Sequence, residues 1–186
     1  MTFIQHLSSI LPVSDALKDE LLQLTTVKEL KRGDTLISKG ERCNDLYFIE
    51  RGLLRGYYYN EEKEITHWFA REGEWATSFY AFIARQTSLE YIEALEDCEL
   101  LQVPYSKLQQ LYVSHPETER IGRLLTEAYY IKLEGRLLGL QFTSAKERYD
   151  ALLENNPSLV QRAPLGYIAS YLGITQETLS RIRAKY

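Results

Sequence analysis

Apolar positions divide the chain into three stretches that differ in their periodicity. Residues 1–26 carry leucines at helical spacing behind a capping signal at Ser14–Asp15, which predicts helix. Residues 27–104 alternate β-branched and aromatic runs with regularly placed glycines, a pattern typical of short antiparallel strands. Residues 105–186 return to helical spacing. The pattern therefore predicts an antiparallel barrel or jelly roll set between helical segments.

Residues 165–182 carry the sharpest local signal, which is that of a helix-turn-helix. Ala169 is small enough for two helices to cross closely, and Gly173 follows at the turn, where a positive φ disfavours a Cβ. Thr175 is placed to cap the second helix, with Glu177 near the positive end of its dipole. The residues expected to make apolar contacts between the helices are Ile168, Leu172, Ile174, Leu179 and Ile182. The full pattern favours a DNA-reading helix in the major groove, and an ordinary αα-hairpin is the alternative.

A long helix is predicted between residues 117 and 142, where apolar or small residues recur at spacings of three and four. They are Ile121, Leu124, Ala128, Ile131, Gly135, Leu138 and Phe142. Two small residues among them, Ala128 and Gly135, would let two backbones approach closely. The pattern fits a helix packed on its own barrel, and it also fits a parallel two-helix seam. We favour the seam, because DNA-reading helices usually work in pairs about a two-fold axis.

Charge is unevenly distributed along the chain. The protein has 186 residues and a net charge of −4. Residues 162–186 hold four basic residues and one acidic residue, so this end carries +3 and the remaining 161 residues carry −7. A small basic end on an acidic body is typical of a DNA-binding module joined to another domain.

Several classes of protein are disfavoured by what the sequence lacks. There is no apolar run of about 18 residues and no secretory leader pattern, which favours the cytoplasm. The two cysteines, Cys43 and Cys98, lie in apolar strand contexts that indicate reduced core thiols rather than a disulfide or metal site. No metal-spaced cluster, phosphate loop or nucleophile motif is found. We therefore expect no metal, no cofactor and no enzymatic activity.

The order of these segments resembles the Crp/Fnr family of bacterial transcription regulators. Residues 33–52, GDTLISKGERCNDLYFIERG, match the turn-and-strand pattern of the cyclic-nucleotide-binding β-roll, and residues 93–111 resemble its closing strands and following helix. The resemblance implies an α+β fold with an N-terminal antiparallel β-roll or jelly roll (1–116), a long dimerisation helix (117–142) and an all-α helix-turn-helix domain (143–186). It also implies a homodimer that binds a palindromic site in double-stranded DNA. RNA polymerase and a small-molecule effector are left open as further partners.

The resemblance also assigns roles to residues of the second helix. Gln176, Glu177 and Arg181 fall where relatives place base-contacting side chains. Arginine pairs bidentately with guanine, glutamine pairs with adenine, and glutamate accepts from cytosine or orients the arginine. The expected phosphate contacts are Thr175, Thr178, Ser180, Arg183 and Lys185. A second hypothesis is a small-ligand sensor module whose helix-turn-helix contacts protein rather than DNA.

The effector pocket departs from the members of the family that bind cyclic AMP. Those relatives hold the ribose with a glutamate after a glycine, and the phosphate with an arginine followed by a small hydroxyl residue. Here the first pair aligns with Thr77 and Ser78, while the arginine position aligns near Ser88, followed two residues later by Glu90. A carboxylate at that position would repel a buried anion. Arg85 lies close enough in sequence to swing inward as a substitute.

We therefore predict a degenerate pocket that binds neither cyclic AMP nor cyclic GMP tightly. Such a pocket would accept an uncharged or cationic ligand, or its aromatic side chains would fill it. The candidates for filling it are Phe79, Tyr80, Phe82 and Tyr91.

Overall fold

The computed structural model describes residues 2–185. The helices are α1 (Phe3–Ile10), α2 (Asp15–Leu24), α3 (Phe79–Ala84), α4 (Tyr105–Ser114), α5 (Pro116–Phe142), α6 (Ala145–Asn155), α7 (Pro157–Arg162), α8 (Leu165–Tyr171) and α9 (Gln176–Arg183). The strands are β1 (Thr26–Leu30), β2 (Thr35–Ile37), β3 (Asp45–Arg51), β4 (Leu53–Asn60), β5 (Lys63–Arg71), β6 (Trp75–Ala76), β7 (Tyr91–Ala94) and β8 (Cys98–Pro104).

The strands form two four-stranded sheets, which confirms the predicted β-roll. One sheet has the order β1-β8-β3-β6 and the other β2-β7-β4-β5. The strand pairs of the first sheet are antiparallel, as in the β1–β8 register, where Val27 faces Leu101. Because strands distant in sequence pair in both sheets, the chain must cross between them repeatedly, as a jelly roll requires.

Two short helices precede the sheets, and side chains cap both of their N-termini. Ser14 caps α2 as the sequence predicts, and its hydroxyl accepts from the Leu17 amide. Thr2 and Gln5 form a reciprocal capping box on α1. Neither helix is long enough to persist alone in water, so their apolar faces must be buried for them to fold.

That burial forms an apolar cluster in the N-terminal region. Phe3 of α1 packs against Phe48 of β3 and Trp75 of β6, with ring centroids 5.4 and 5.7 Å apart. The remaining buried members are Leu7, Val13, Leu17, Leu21, Leu111 and Ile121. The cluster thus joins the N-terminal helices, the first sheet, α4 and the beginning of α5.

Contacts divide the chain into two compact units. The first contains the chain up to Gly56 together with Phe69–Glu127, and the second contains Tyr57–Trp68 together with the chain from Ala128 onward. This division differs from the three segments expected from sequence, because it falls inside α5 and places the tip of the β4–β5 hairpin with the C-terminal helices. Among residues 2–185, no helix combines the length and the apolar character needed to cross a bilayer.

Position 52, between β3 and β4, requires glycine, and this requirement can be tested. Its φ is +110°, and an added Cβ would clash with the Cys98 Sγ and lie 2.9 Å from the Asp97 carbonyl oxygen. We expect Gly52→Ala to lower the free energy of unfolding by about 2–4 kcal/mol, because backbone strain and a steric clash act together.

Gly73→Ala is the matched control, since Gly73 has a φ of +80° but no atom within 4 Å of an added Cβ. It should lose only about 1 kcal/mol through strain. Chemical denaturation of both variants measures the difference, and equal losses would contradict the steric explanation.

Candidate nucleic-acid interface

The C-terminal helices α8 and α9 form the predicted helix-turn-helix. Gly173 lies in the turn with a φ of +68°, and an added Cβ would lie 3.0 Å from a methyl carbon of Leu140. A side chain here would therefore meet both backbone strain and the end of α5. The turn is closed by the Ile174 amide, which donates to the Ala169 carbonyl at 3.0 Å.

The two helices pack through a small apolar core. Ile168 and Ala169 of α8 and Leu179 of α9 are at most 1% exposed, and Leu172 is also buried. Ile174 and Ile182 are half-buried. These are the contacts expected from the sequence, and they leave the opposite side of α9 facing outward.

The N-terminus of α9 is capped by a side chain and has an acidic residue in its first turn. The Thr175 hydroxyl accepts from the Thr178 amide at 3.2 Å, as predicted. Hydrogen bonds from the Glu177 amide and the Thr175 hydroxyl, together with the nearby Arg181 charge, lower the pKa of Glu177 below its ordinary value. Glu177 is therefore anionic at neutral pH, which suits the positive end of a helix dipole.

The predicted nucleic-acid contacts are together on one exposed part of α9. The exposed residues are Thr175, Gln176, Glu177, Ser180, Arg181, Arg183 and Lys185, and Thr178 is half-buried. The Arg181 Nε donates to the Glu177 carbonyl at 3.4 Å. The Oε1 of Gln176 lies 3.1 Å from the position that a Cβ on Gly166 would take. Base readout by these side chains stays a prediction.

The predicted seam along α5 begins later than expected. Ile121 is 4% exposed and packs in the core of its own unit, so it is unavailable to a second chain. Leu124 is half-buried, whereas Ala128 and Gly135 are exposed. The exposed fractions of Ile131, Leu138 and Phe142 are 70%, 48% and 78%. A heptad pattern cannot distinguish a partner helix from the chain's own core, which is why Ile121 was misassigned.

In the β-roll, four of the predicted pocket residues are buried and engaged with the protein itself. Thr77, Ser78, Ser88 and Glu90 are each at most 3% exposed. The Thr77 hydroxyl donates to the Asp45 carbonyl at 2.9 Å. The Ser88 hydroxyl donates to the Glu90 carbonyl at 2.8 Å and accepts from the Glu90 amide. The Glu90 carboxyl group thus belongs to a buried side chain, as the prediction of a degenerate pocket requires.

Arg85 does not reach inward, which corrects the expectation that it could replace the missing phosphate ligand. It ends α3 with a φ of +56°, and its guanidinium lies 3.8 Å from the centroid of the Tyr105 ring. The same group donates to the Cys43 carbonyl and to the Asn44 Oδ1, at 3.1 and 2.8 Å. These contacts direct the charge of Arg85 toward the β2–β3 loop and α4.

The aromatic filling of the pocket is also only partly as expected. Tyr80 is 60% exposed and cannot fill an interior space. Phe82 is buried and packs edge-on against Tyr105, with centroids 5.3 Å apart. Phe79 and Tyr91 are half-buried.

Sequence reasoning missed a buried ion pair in the same β-roll. Arg55 of β4 is 0% exposed, and its Nη1 lies 2.7 Å from the Oε1 of Glu93 on β7. The sequence signal for this ion pair was a charged residue, Arg55, among the apolar and aromatic residues of LLRGYYY. A buried arginine needs an acceptor, so an acidic partner is expected.

Comparison with known proteins shows which proteins the chain resembles. Residues 27–115 match the model of the cyclic nucleotide-binding domain. The chain is 29% identical, over 91% of its length, to the fumarate and nitrate reduction regulatory protein of Vibrio cholerae, of which 73% is covered. It is 23% identical, over 92% of its length, to the cAMP-activated global transcriptional regulator CRP of Salmonella typhimurium, of which 87% is covered. The chain is therefore similar to a cyclic nucleotide-binding domain over residues 27–115 and to named transcription regulators over most of its length.

Solved structures share the fold of this chain. FixK2 from Bradyrhizobium japonicum matches with a TM-score of 0.73 and 20% identity, covering 87% of this chain and 83% of that one. The c-di-GMP responsive regulator CLP from Xanthomonas campestris matches with a TM-score of 0.72 and 19% identity, covering 92% and 91%. The chain therefore shares its fold with FixK2 and CLP.

The burial of Glu90 leads to a prediction about the response of this protein to cyclic AMP. We expect calorimetric titration of the intact protein to show no sub-micromolar binding, because a buried carboxyl side chain stands near the expected phosphate position. Glu90→Gln removes the charge with little change in shape and should bind cyclic AMP at least as well as the unmodified chain. Tight binding that Glu90→Gln abolishes would contradict this account of the pocket.

Proposed function

We propose that the protein is a homodimeric, sequence-specific DNA-binding transcription regulator of the Crp/Fnr type. The observation that carries this proposal is the exposed polar side of α9, held outward by a buried α8–α9 core and an N-terminal cap. The fumarate and nitrate reduction regulatory protein of Vibrio cholerae and CRP of Salmonella typhimurium are regulators by name, which supports the same conclusion. The proposed activity is binding rather than catalysis.

The side chains of α9 suit base readout in the major groove. Arg181 can pair bidentately with guanine O6 and N7, and Gln176 with adenine N6 and N7. Glu177 can accept from cytosine N4 or hold Arg181 in place. Arg183 and Lys185 follow at the end of the helix, where cations contact the phosphate backbone.

A dimer is supported by the apolar stripe on α5. Ile131, Leu138 and Phe142 are large apolar side chains with 48–78% of their surface exposed. Ala128 precedes Ile131 in the heptad and Gly135 lies between Ile131 and Leu138, so a second helix could approach closely. Paired helices would present two copies of α9 to a palindromic site, with half-sites about 34 Å apart. We assign Leu124, Ala128, Ile131, Gly135, Leu138 and Phe142 to this seam.

The effector is proposed to differ from cyclic AMP. The names of two relatives, a cAMP-activated regulator and a c-di-GMP responsive regulator, indicate that effectors vary among proteins of this fold. Here the buried Glu90, Ser88 and the Arg55–Glu93 pair leave a β-roll interior unlike one built for a phosphodiester. An uncharged or cationic ligand suits it better. A DNA-binding regulator would act in the cytoplasm, with RNA polymerase as a further partner.

DNA binding can be tested by selection from a random pool of duplexes, followed by fluorescence anisotropy at fixed salt. We expect a palindromic site to be enriched. Arg181→Ala should lose about 1–3 kcal/mol of binding free energy and relax preference at one base pair of each half-site. Arg123→Ala is the matched control, because Arg123 is an exposed arginine that pairs with Glu127 on α5. Failure to enrich any duplex at low salt would favour a helix-turn-helix that contacts protein.

The seam can be tested with one substitution and a control on the same helix. Ile131→Glu should weaken the dimer by about 100-fold or more, roughly 3 kcal/mol, because it would bury a charge between two helices. The monomer should keep its fold, since 70% of the Ile131 surface is already exposed. Leu133→Glu places the same charge outside the apolar positions of the heptad and should have little effect on the strength of the dimer. Sedimentation equilibrium measures both, and an unchanged dimer in Ile131→Glu would contradict the seam.

A further inference from the structure

Two arginines donate to successive carbonyl groups where α8 ends. The Arg136 Nη2, from α5, donates to the Tyr171 carbonyl at 3.0 Å. The Arg148 Nε, from α6, donates to the Leu172 carbonyl at 2.9 Å. Carbonyls in the last turn of a helix lack partners within the helix and carry the negative end of its dipole, so cations stabilise them.

Each arginine also bonds to a second element. The Arg136 Nη2 lies 3.4 Å from the Thr66 carbonyl of the β4–β5 hairpin, and its guanidinium is 4.7 Å from the centroid of the Tyr171 ring. The Arg148 Nη1 donates to the Gly139 carbonyl at 3.4 Å and to the Thr143 carbonyl. Arg148 therefore ties the end of α8 to the end of α5, and Arg136 ties it to the middle of α5 and to the hairpin.

The hairpin supplies a third tie to the same helix. The Thr66 amide donates to the Ser170 hydroxyl at 2.9 Å, and that hydroxyl donates to the Glu64 carbonyl at 3.2 Å. Thr66 is 0% exposed, so its amide is closed off from solvent, while Ser170 and Glu64 are half-buried. Ser170 precedes Tyr171 directly, and the ties therefore converge on three successive residues at the end of α8, Ser170 to Leu172.

These contacts leave the recognition surface open. The α9 residues from Gln176 to Arg183 make none of the ties, and the polar ones among them that are assigned to DNA are exposed. A contact that inhibited DNA binding would cover that surface. The ties instead hold α8, and with it α9, at a fixed angle to the α5 segment that carries the seam residues Ile131, Gly135 and Leu138.

We infer that Arg136 and Arg148 are positioning residues that set the half-site spacing the dimer accepts. The inference rests on the proposed function. In a dimer joined through α5, the separation of the two α9 helices depends on the angle between α9 and α5. Arg148 bonds through two nitrogens of its planar fork, Nε and Nη1, and Arg136 bonds to two elements through Nη2. Each arginine therefore restricts that angle more strongly than one flexible contact could. The base contacts would then determine which DNA sequence is bound, while the two arginines would determine which spacing between half-sites is accepted.

The test measures binding to a series of duplexes that carry the selected half-sites at different spacings. Inserting two base pairs moves one half-site by about 7 Å and rotates it by about 70°. We expect the unmodified protein to lose about 10-fold or more in affinity on this insertion. Arg136→Gln/Arg148→Gln should bind the optimal site more weakly and lose less than about 3-fold on the insertion, because its helices can reorient.

Three further variants separate positioning from general stability. Arg123→Gln removes an exposed arginine of α5 outside the ties and should keep the full spacing dependence. Arg136→Lys and Arg148→Lys keep the charge but lose the fork, and they carry the test if the double glutamine variant does not fold by circular dichroism. They should relax the spacing dependence without changing the dimer measured by sedimentation.

The two proposals fail in different ways. If the arginine variants fold, bind DNA and keep the same loss on insertion as the unmodified protein, the positioning role is wrong and the proposed function stands. If the unmodified protein selects no duplex, the proposed function is wrong and the positioning role falls with it.

Discussion

Burial of Leu179 against Ile168 and Ala169 is the contact on which the interface depends. An eight-residue helix such as α9 does not persist alone in water. Its helical state is supported by this apolar contact and by the Thr175 cap. Because Leu179 faces α8, the polar residues of α9 must face outward. The direction of the proposed recognition surface is therefore a consequence of packing rather than of any property of the polar side chains themselves.

Local signals could be predicted from the sequence because the interactions that produce them are local. The caps at Ser14 and Thr175 each join residues three positions apart, and Gly173 is set by the φ of its own turn. Glycines between short aromatic runs similarly indicate strands that must turn often. The β-roll, the long helix and the helix-turn-helix were all recognisable for this reason.

Contacts between distant segments were not predictable in the same way. The heptad that includes Ile121 is regular, yet its first member packs with Phe3 and Leu7, more than a hundred positions earlier. Arg85 bonds to Cys43 and Asn44, about forty positions away, rather than to a ligand pocket. Periodicity states that a residue is buried, and it does not state which neighbour buries it. The Arg55–Glu93 pair and the hairpin contacts to Ser170 were missed for the same reason.

Charge distribution makes geometry more important for this protein than for a strongly basic one. Only the C-terminal end is basic, and the remaining chain carries −7, so long-range attraction to DNA is weak. Each phosphate contact adds affinity that salt removes, whatever the DNA sequence. A regulator with few such contacts depends on base readout by Gln176, Glu177 and Arg181, and this readout needs both copies of α9 in register. The proposed role of Arg136 and Arg148 would supply that register through Tyr171 and Leu172, outside the residues assigned to DNA, so the side chains of α9 could vary in sequence preference while the spacing between half-sites stays the same.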